Sequence, residues 1–274
     1  MKKLLFAIIT LGLLAACTEE KKPDSGQEDG PETPPAPAGC PAGAEDLGLS
    51  VYWAKSNLSE DGLCPNPEDY GDYYAWGEME PHYLKGHAQD LVCNYDWRVI
   101  DGKQMTGYNW QSYKWCNGRY DKLTKYCPAS ESAQWDGTGA PDDLTELQTG
   151  PNGDDVAWKL LSGKWRIPTF MDWTELFTKC IWTWTDNYNG TQVAGYIVKS
   201  TVTGYTDKSI FLPAAGGRSN LGLYDAGDAG SYWSSSLKTD TPDMALNIYF
   251  SSSIPADTFF TARCYGLLLR PVSE

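Results

Sequence analysis

Histidine is nearly absent from this chain, which holds only His82 and His87. That weakens the case for nucleophilic catalysis, because a serine or cysteine nucleophile needs a nearby base and a group to orient it. No G-x-S-x-G turn occurs, so the usual nucleophile elbow is excluded. No two cysteines stand in C-x-x-C spacing, which argues against a zinc ribbon. Basic residues number 22 against 36 acidic ones, giving a formal net charge of −14. Such a charge argues against nucleic acid and anionic lipid surfaces as partners. Phenylalanine is scarce too, 7 residues against 12 Trp and 17 Tyr. That excess of amphipathic rings fits half-buried strands, or else a surface that stacks on sugars or peptides.

What is present begins with an export leader. Lys2 and Lys3 precede an apolar run, Leu4 to Leu14, broken only by Thr10 and Gly12. The run is shorter than the ~20 apolar residues that span a bilayer. It ends in Leu14-Ala15-Ala16-Cys17, small residues before a cysteine. This tetrapeptide resembles the bacterial lipobox, which implies a signal peptide over 1–16 and acylation at Cys17. Residues 17–39 then read as a tether. Glu19, Glu20, Asp24, Glu28, Asp29 and Glu32 alternate with Pro23, Pro31, Pro34, Pro35 and Pro37. Without an apolar period the segment cannot offset its ordering entropy, so it reads as a semi-extended spacer. Acidic residues directly after the cysteine resemble the surface-export signals of some Gram-negative lipoproteins. The expected location is therefore the outer membrane, lipid-anchored and facing outward. Export permits disulfides, yet Cys40, Cys64, Cys93, Cys116, Cys127, Cys180 and Cys264 are an odd number and cannot all pair within one chain.

Residues 40–274 read as one domain. Leu47, Leu49, Val51 and Trp53 alternate as a half-buried strand, and Asp72–Gly77 forms a second short one. The stretch 80–153 is irregular, rich in Gly, Asn, Asp, Tyr and Trp. A loop that long is commonly functional or poorly ordered. Asp154 and Asp155 open a helix carrying Val156, Ala157, Leu160 and Leu161, and Gly163 stops it. Thr169 caps a second helix, with Asp172 three residues on and Trp173, Leu176, Phe177 and Cys180 on one face. Trp165 and Arg166, between the helices, are expected to pack and to satisfy backbone carbonyls. Strands follow at 196–202, 210–212, from Tyr232, around Leu246, Ile248 and Phe250, and from Cys264 to Val272. The order predicts an α+β fold with a mainly antiparallel sheet.

Six signals in order carry a family resemblance. They are Asp46-Leu47-Gly48-Leu49-Ser50-Val51-Tyr52-Trp53-Ala54, Tyr70-Gly71-Asp72-Tyr73-Tyr74-Ala75-Trp76-Gly77-Glu78, Trp165-Arg166-Ile167-Pro168-Thr169, Leu212-Pro213-Ala214-Ala215-Gly216, Tyr232-Trp233-Ser234-Ser235 and Leu269-Arg270-Pro271-Val272. Together, over Asp46 to Val272, they resemble the Fibrobacter succinogenes major paralogous domain of secreted bacterial lipoproteins. The resemblance implies a C-type-lectin-like fold with paired terminal strands, and no characterised catalytic residues come with it. Formylglycine-generating enzymes are similar to that fold and use active-site cysteines. Cys264 is the nearest candidate here, with a buried structural thiol the plainer reading.

The expected ligand site is the Gly/Asp-rich stretch 218–230, where C-type-lectin-like domains bear ligand loops. Arg218, Asn220, Tyr224, Asp225 and Asp228 are its candidate contacts. Asn and Asp oxygens suit calcium and sugar hydroxyls alike, and Tyr224 suits stacking. The alternative is that turns simply require these residues. A zinc set of His82, His87 and Cys93 is the other metal option, against which solvent-exposed histidines are the plainer reading. No cofactor is expected apart from possible calcium. The leading functional expectation is a non-catalytic surface protein recognising an extracellular glycan or protein, in the manner of an adhesin. A secreted enzyme acting on an extracellular polymer, through paired carboxylates for instance, and a tip subunit of a surface fibre are the alternatives.

Overall fold

The computed structural model describes residues 39–92 and 97–274. The leader, Cys17, nearly all of the tether and Cys93 lie outside the described residues. In chain order come β1 (Ala44–Glu45), β2 (Tyr52–Ala54), β3 (Leu58–Ser59), β4 (Gly62–Leu63), β5 (Val99–Ile100) and β6 (Lys103–Gln104). Next are α1 (Val156–Leu160), α2 (Phe170–Lys179), β7 (Cys180–Thr185), β8 (Gly195–Ser200) and β9 (Ser209–Pro213). The rest are β10 (Ala215–Ser219), β11 (Gly222–Ala226), β12 (Ala229–Leu237), β13 (Met244–Ser251), β14 (Asp257–Ala262) and β15 (Val272–Ser273). The protein is mostly β-sheet with few helices, as an α+β order predicts.

The two ends of the domain meet. β2 pairs antiparallel with β15, Trp53 opposite Val272. Within the last strand expected from Cys264 to Val272, Leu267 and Leu269 are the apolar positions set to meet Trp53, and the observed partner lies three to five residues beyond them. Two local features shift it. Gly48 takes φ +71, so the chain bends until Tyr52 and only three residues stay extended. Pro271 has no N–H to give, but its carbonyl accepts from Ala54. Leu267 pairs with Tyr74 instead. Leu47, Val51 and Trp53 are buried as expected, and Leu49 is half-buried.

Both helices form where their caps predict. Asp155 accepts from the Trp158 amide at 3.0 Å and starts α1. Thr169 and Asp172 form a full capping box at α2, and Trp173 and Leu176 go into the core. Cys180 does not continue the helix. The run Cys180-Ile-Trp-Thr-Trp-Thr is aromatic and β-branched, and leaves α2 directly as β7. Trp165 is buried, and Arg166 lies 2.6 Å from Asp172 and 3.2 Å from Glu274.

Two sheets make up the second half. One has the order β7-β8-β9, the other β11-β10-β12-β13-β14. All pairs are antiparallel except β10 with β12. The segment from Cys264 contributes single bridges at Gly266, Leu267 and Leu268, and becomes strand only at Val272.

Stretch 80–153 is irregular, as expected, but it is part of the core. Tyr83, Tyr108, Tyr113, Leu123 and Cys127 share a buried cluster with Trp53 and Trp173. Three arginines are fully buried, and two of them, Arg263 and Arg218, fasten this stretch. Arg263 donates to the Tyr113 hydroxyl at 2.9 Å and to the carbonyls of Lys125, Tyr126 and Pro242. Arg270 donates to Asn57 and to the carbonyls of Ala54 and Phe211. Arg218 donates to the carbonyls of His87, Ala88 and Asp90.

Trp53 is wholly buried with its ring 4.7 Å from that of Trp173. Trp53→Ala is expected to leave a cavity costing about 3–5 kcal/mol and to lower the melting temperature by at least about 6 °C. Calorimetry on the variant checks this, and a shift of only a degree or two would show that Trp53 does not anchor the core.

Candidate functional site

The residues expected to form a ligand loop do not converge. Stretch 218–230 is a hairpin and the start of a third strand, with turns only at Asn220–Leu221 and around Gly227. Arg218 is fully buried. Its guanidinium lies 4.7 Å from the Tyr83 ring and holds carbonyls of the irregular segment, so it is not a surface contact. Asn220 is exposed at the hairpin tip and accepts from Asn109 at 2.8 Å. Asp225 and Asp228 are exposed at the far end of the hairpin, joined by an Asp228 N–H to Asp225 carbonyl bond of 3.0 Å. Asp225 lies five positions after Asn220, along β11, roughly 16 Å away when extended. Asn220 therefore cannot join the two aspartates around one calcium ion. Tyr224 is half-buried, with its hydroxyl 2.5 Å from where a Cβ on Gly217 would sit. Burial raises its phenol above the usual range.

The zinc option of His82, His87 and Cys93 includes Cys93, which lies outside the described residues. Among the described residues no group of three His, Cys, Asp or Glu side chains is placed to hold a metal. His82 is fully buried rather than a solvent-exposed bystander. Its Nε2 lies 2.7 Å from Glu78, its Nδ1 lies 2.9 Å from the Gly107 carbonyl, and its ring stacks on Tyr108 at 4.4 Å. A carbonyl only accepts, so Nδ1 carries a proton. Burial alone pulls the imidazole down, but the Glu78 charge and hydrogen bond, with the Gly107 carbonyl, outweigh it and hold the ring above the usual histidine range. Glu78 also accepts from the Lys114 amide at 2.7 Å. It lines a cavity of about 400 Å³ with Met79, Lys103, Met105, Tyr113 and Cys116. Cys264 is buried in a turn, and burial pushes its thiol up to about 12. It is therefore protonated at neutral pH and a poor nucleophile.

A different surface brings rings together. Where α2 runs into β7, Phe177 stacks on Trp182 at 5.1 Å with the planes 30° apart. Trp182 meets Tyr196 of β8 edge-on at 5.7 Å. Strand alternation puts Trp184 on the same side, 5.3 Å from Tyr196. Pro255 and Ala256, from the turn between β13 and β14, and Asp257, which opens β14, complete the lining. The result is a groove of about 450 Å³ whose only charged lining residue is Asp257. Phe177, Trp182 and Tyr196 support it from below by packing on the core; Phe177 and Trp182 remain half-exposed. The sequence reading missed this surface because Cys180 completed an apparent helical face. The Trp-Thr-Trp alternation was the strand signal. A further cavity of about 600 Å³ lies beside Trp158, Trp165 and Glu274. Its Arg166 is already committed to Asp172 and Glu274.

Comparison of the chain with family models, curated proteins and solved structures returned no match.

Because His82 is raised in the folded state, its charged form adds stability that is fully present below about pH 6.5, the ordinary histidine value, and is lost as pH rises through the folded value. Glu78→Gln should lower the His82 pKa in an imidazole NMR titration. It should also destabilise the protein more at pH 6 than at pH 9 in urea melts. An unmoved His82 titration would show that Glu78 does not hold the proton.

Proposed function

We propose that this chain is a lipid-anchored protein of the outer cell surface that binds an extracellular partner without chemical turnover. In this reading residues 1–16 are removed, Cys17 is acylated, and the acidic, Pro-rich tether holds out a domain of the Fibrobacter succinogenes major paralogous type. A C-type-lectin-like fold is the architecture that goes with it. The antiparallel pairing of β2 with β15, followed inward by two helices and antiparallel strands, supports that assignment.

The groove of Phe177, Trp182 and Tyr196 carries the functional reading. Aromatic side chains that pack on a core yet keep exposed area are costly to leave in water and lose little freedom on binding. A single carboxylate beside apolar rings suits recognition by contact and hydrogen bonding. The net charge of −14 turns away nucleic acid and anionic lipid.

The test is binding by the purified chain to arrayed glycans and extracellular proteins, with product release followed in parallel. Saturable binding is expected, with no product released. Trp182→Ala should weaken it about tenfold, while Trp182→Phe keeps a ring and most of the affinity. Cleavage of a bound polymer would replace the binding reading with an enzymatic one. Full binding by Trp182→Ala would remove the groove from it.

A further inference from the structure

We infer that the groove takes an uncharged glycan chain, with pyranose C–H faces packing on the half-exposed outer surface of the Phe177–Trp182 stack. This rests on the reading of the protein as a surface binder, and goes beyond it by naming the ligand class.

The chemistry of the walls selects the class. A hexopyranose is amphipathic: one face presents C–H bonds, and the rim presents hydroxyls. Phe177 and Trp182 stack on each other with planes 30° apart, and both remain half-exposed, so the pair offers one apolar surface. Trp182 is held in place by Tyr196 and Phe250, which meet it edge-on at 5.7 and 6.4 Å. Its indole N–H is turned inward to the Leu176 carbonyl at 3.4 Å, so the ring and not its polar tip faces the groove. Asp257 then supplies an acceptor in the lining. It is exposed, and of the groove's lining residues it alone is charged.

Charge complementarity decides between glycans. No lysine, arginine or histidine lines the groove. A uronate or sulfate would meet Asp257 with no cation to offset it, on a protein whose formal charge is −14. A neutral chain carries no such penalty. Pro255 and Ala256 put only short side chains into the lining. That leaves passage for a polymer running along the groove.

The experiment uses the full chain in detergent and native affinity electrophoresis in gels containing soluble β-glucan, mannan or polygalacturonate. Retardation by a neutral polymer and none by polygalacturonate is expected. Ala256→Trp fills the groove without deleting a core ring, and should weaken retardation about tenfold or more. Asp257→Asn should weaken it less, and should leave the melting temperature unchanged. Polygalacturonate binding as well as the neutral polymers overturns the inference. So does unchanged retardation of Ala256→Trp with its fold intact by circular dichroism. If no polysaccharide binds but a purified extracellular protein is retained and Ala256→Trp abolishes that, the glycan inference fails while the surface-binding reading stands. If the parent chain retains neither class of partner, both fail.

Discussion

Much of this fold depends on guanidinium groups buried among backbone carbonyls. A chain that runs through stretch 80–153 without long ladders leaves carbonyl oxygens that no strand partner satisfies, and burying them unpaired would cost about 1–3 kcal/mol each. Arginine suits that need, because its planar fork offers five donors on one stem and is less strongly hydrated than an ammonium. Arg263 alone gathers three carbonyls and a tyrosine hydroxyl from segments up to 150 residues away. For Arg270, burial pulls the guanidinium down from its ordinary value. Its attachment to Ala54, Asn57 and Phe211 ties β2 to β9 beside the paired chain ends. In an acidic protein, these cations serve the interior rather than the surface.

The same devices order polar contacts elsewhere in the domain. Arg218 holds the carbonyls of His87 and Asp90 against the β10–β11 hairpin, at whose tip Asn220 accepts from Asn109. The irregular segment also places His82 on Glu78, next to the smaller cavity. The aromatic groove is independent of that segment. It arises where α2 gives way to β7 and where β13 turns into β14.

Local chemistry was legible in the sequence, and distant pairing was not. Thr169 and Asp172 announce their helix because the capping box needs only four residues. Leu47, Val51 and Trp53 announce their burial by alternation, but only Tyr52–Ala54 forms strand, because the chain bends from Gly48, and the partner's register depends on that bend and on Pro271. Arg218 reads as a surface contact because charged residues in Gly/Asp-rich stretches usually are. Its true partners lie about 130 residues earlier in the chain. Trp182 was hidden by a helical period that continues, by coincidence, through Cys180 into a strand. The order within 80–153 has no periodic signature, since it comes from tertiary hydrogen bonds.

Hydrogen exchange on Arg263→Leu tests that dependence most directly. If buried guanidinium groups hold the irregular segment, the amides of Leu123 and Thr124, which bond to Gln134 and Trp115, will exchange faster. Those of β7 to β9 will keep their protection. Arg263→Lys, with one charge but no fork, should fail in the same place. Equal protection in parent and variant, or a loss spread evenly over every sheet, would contradict the account.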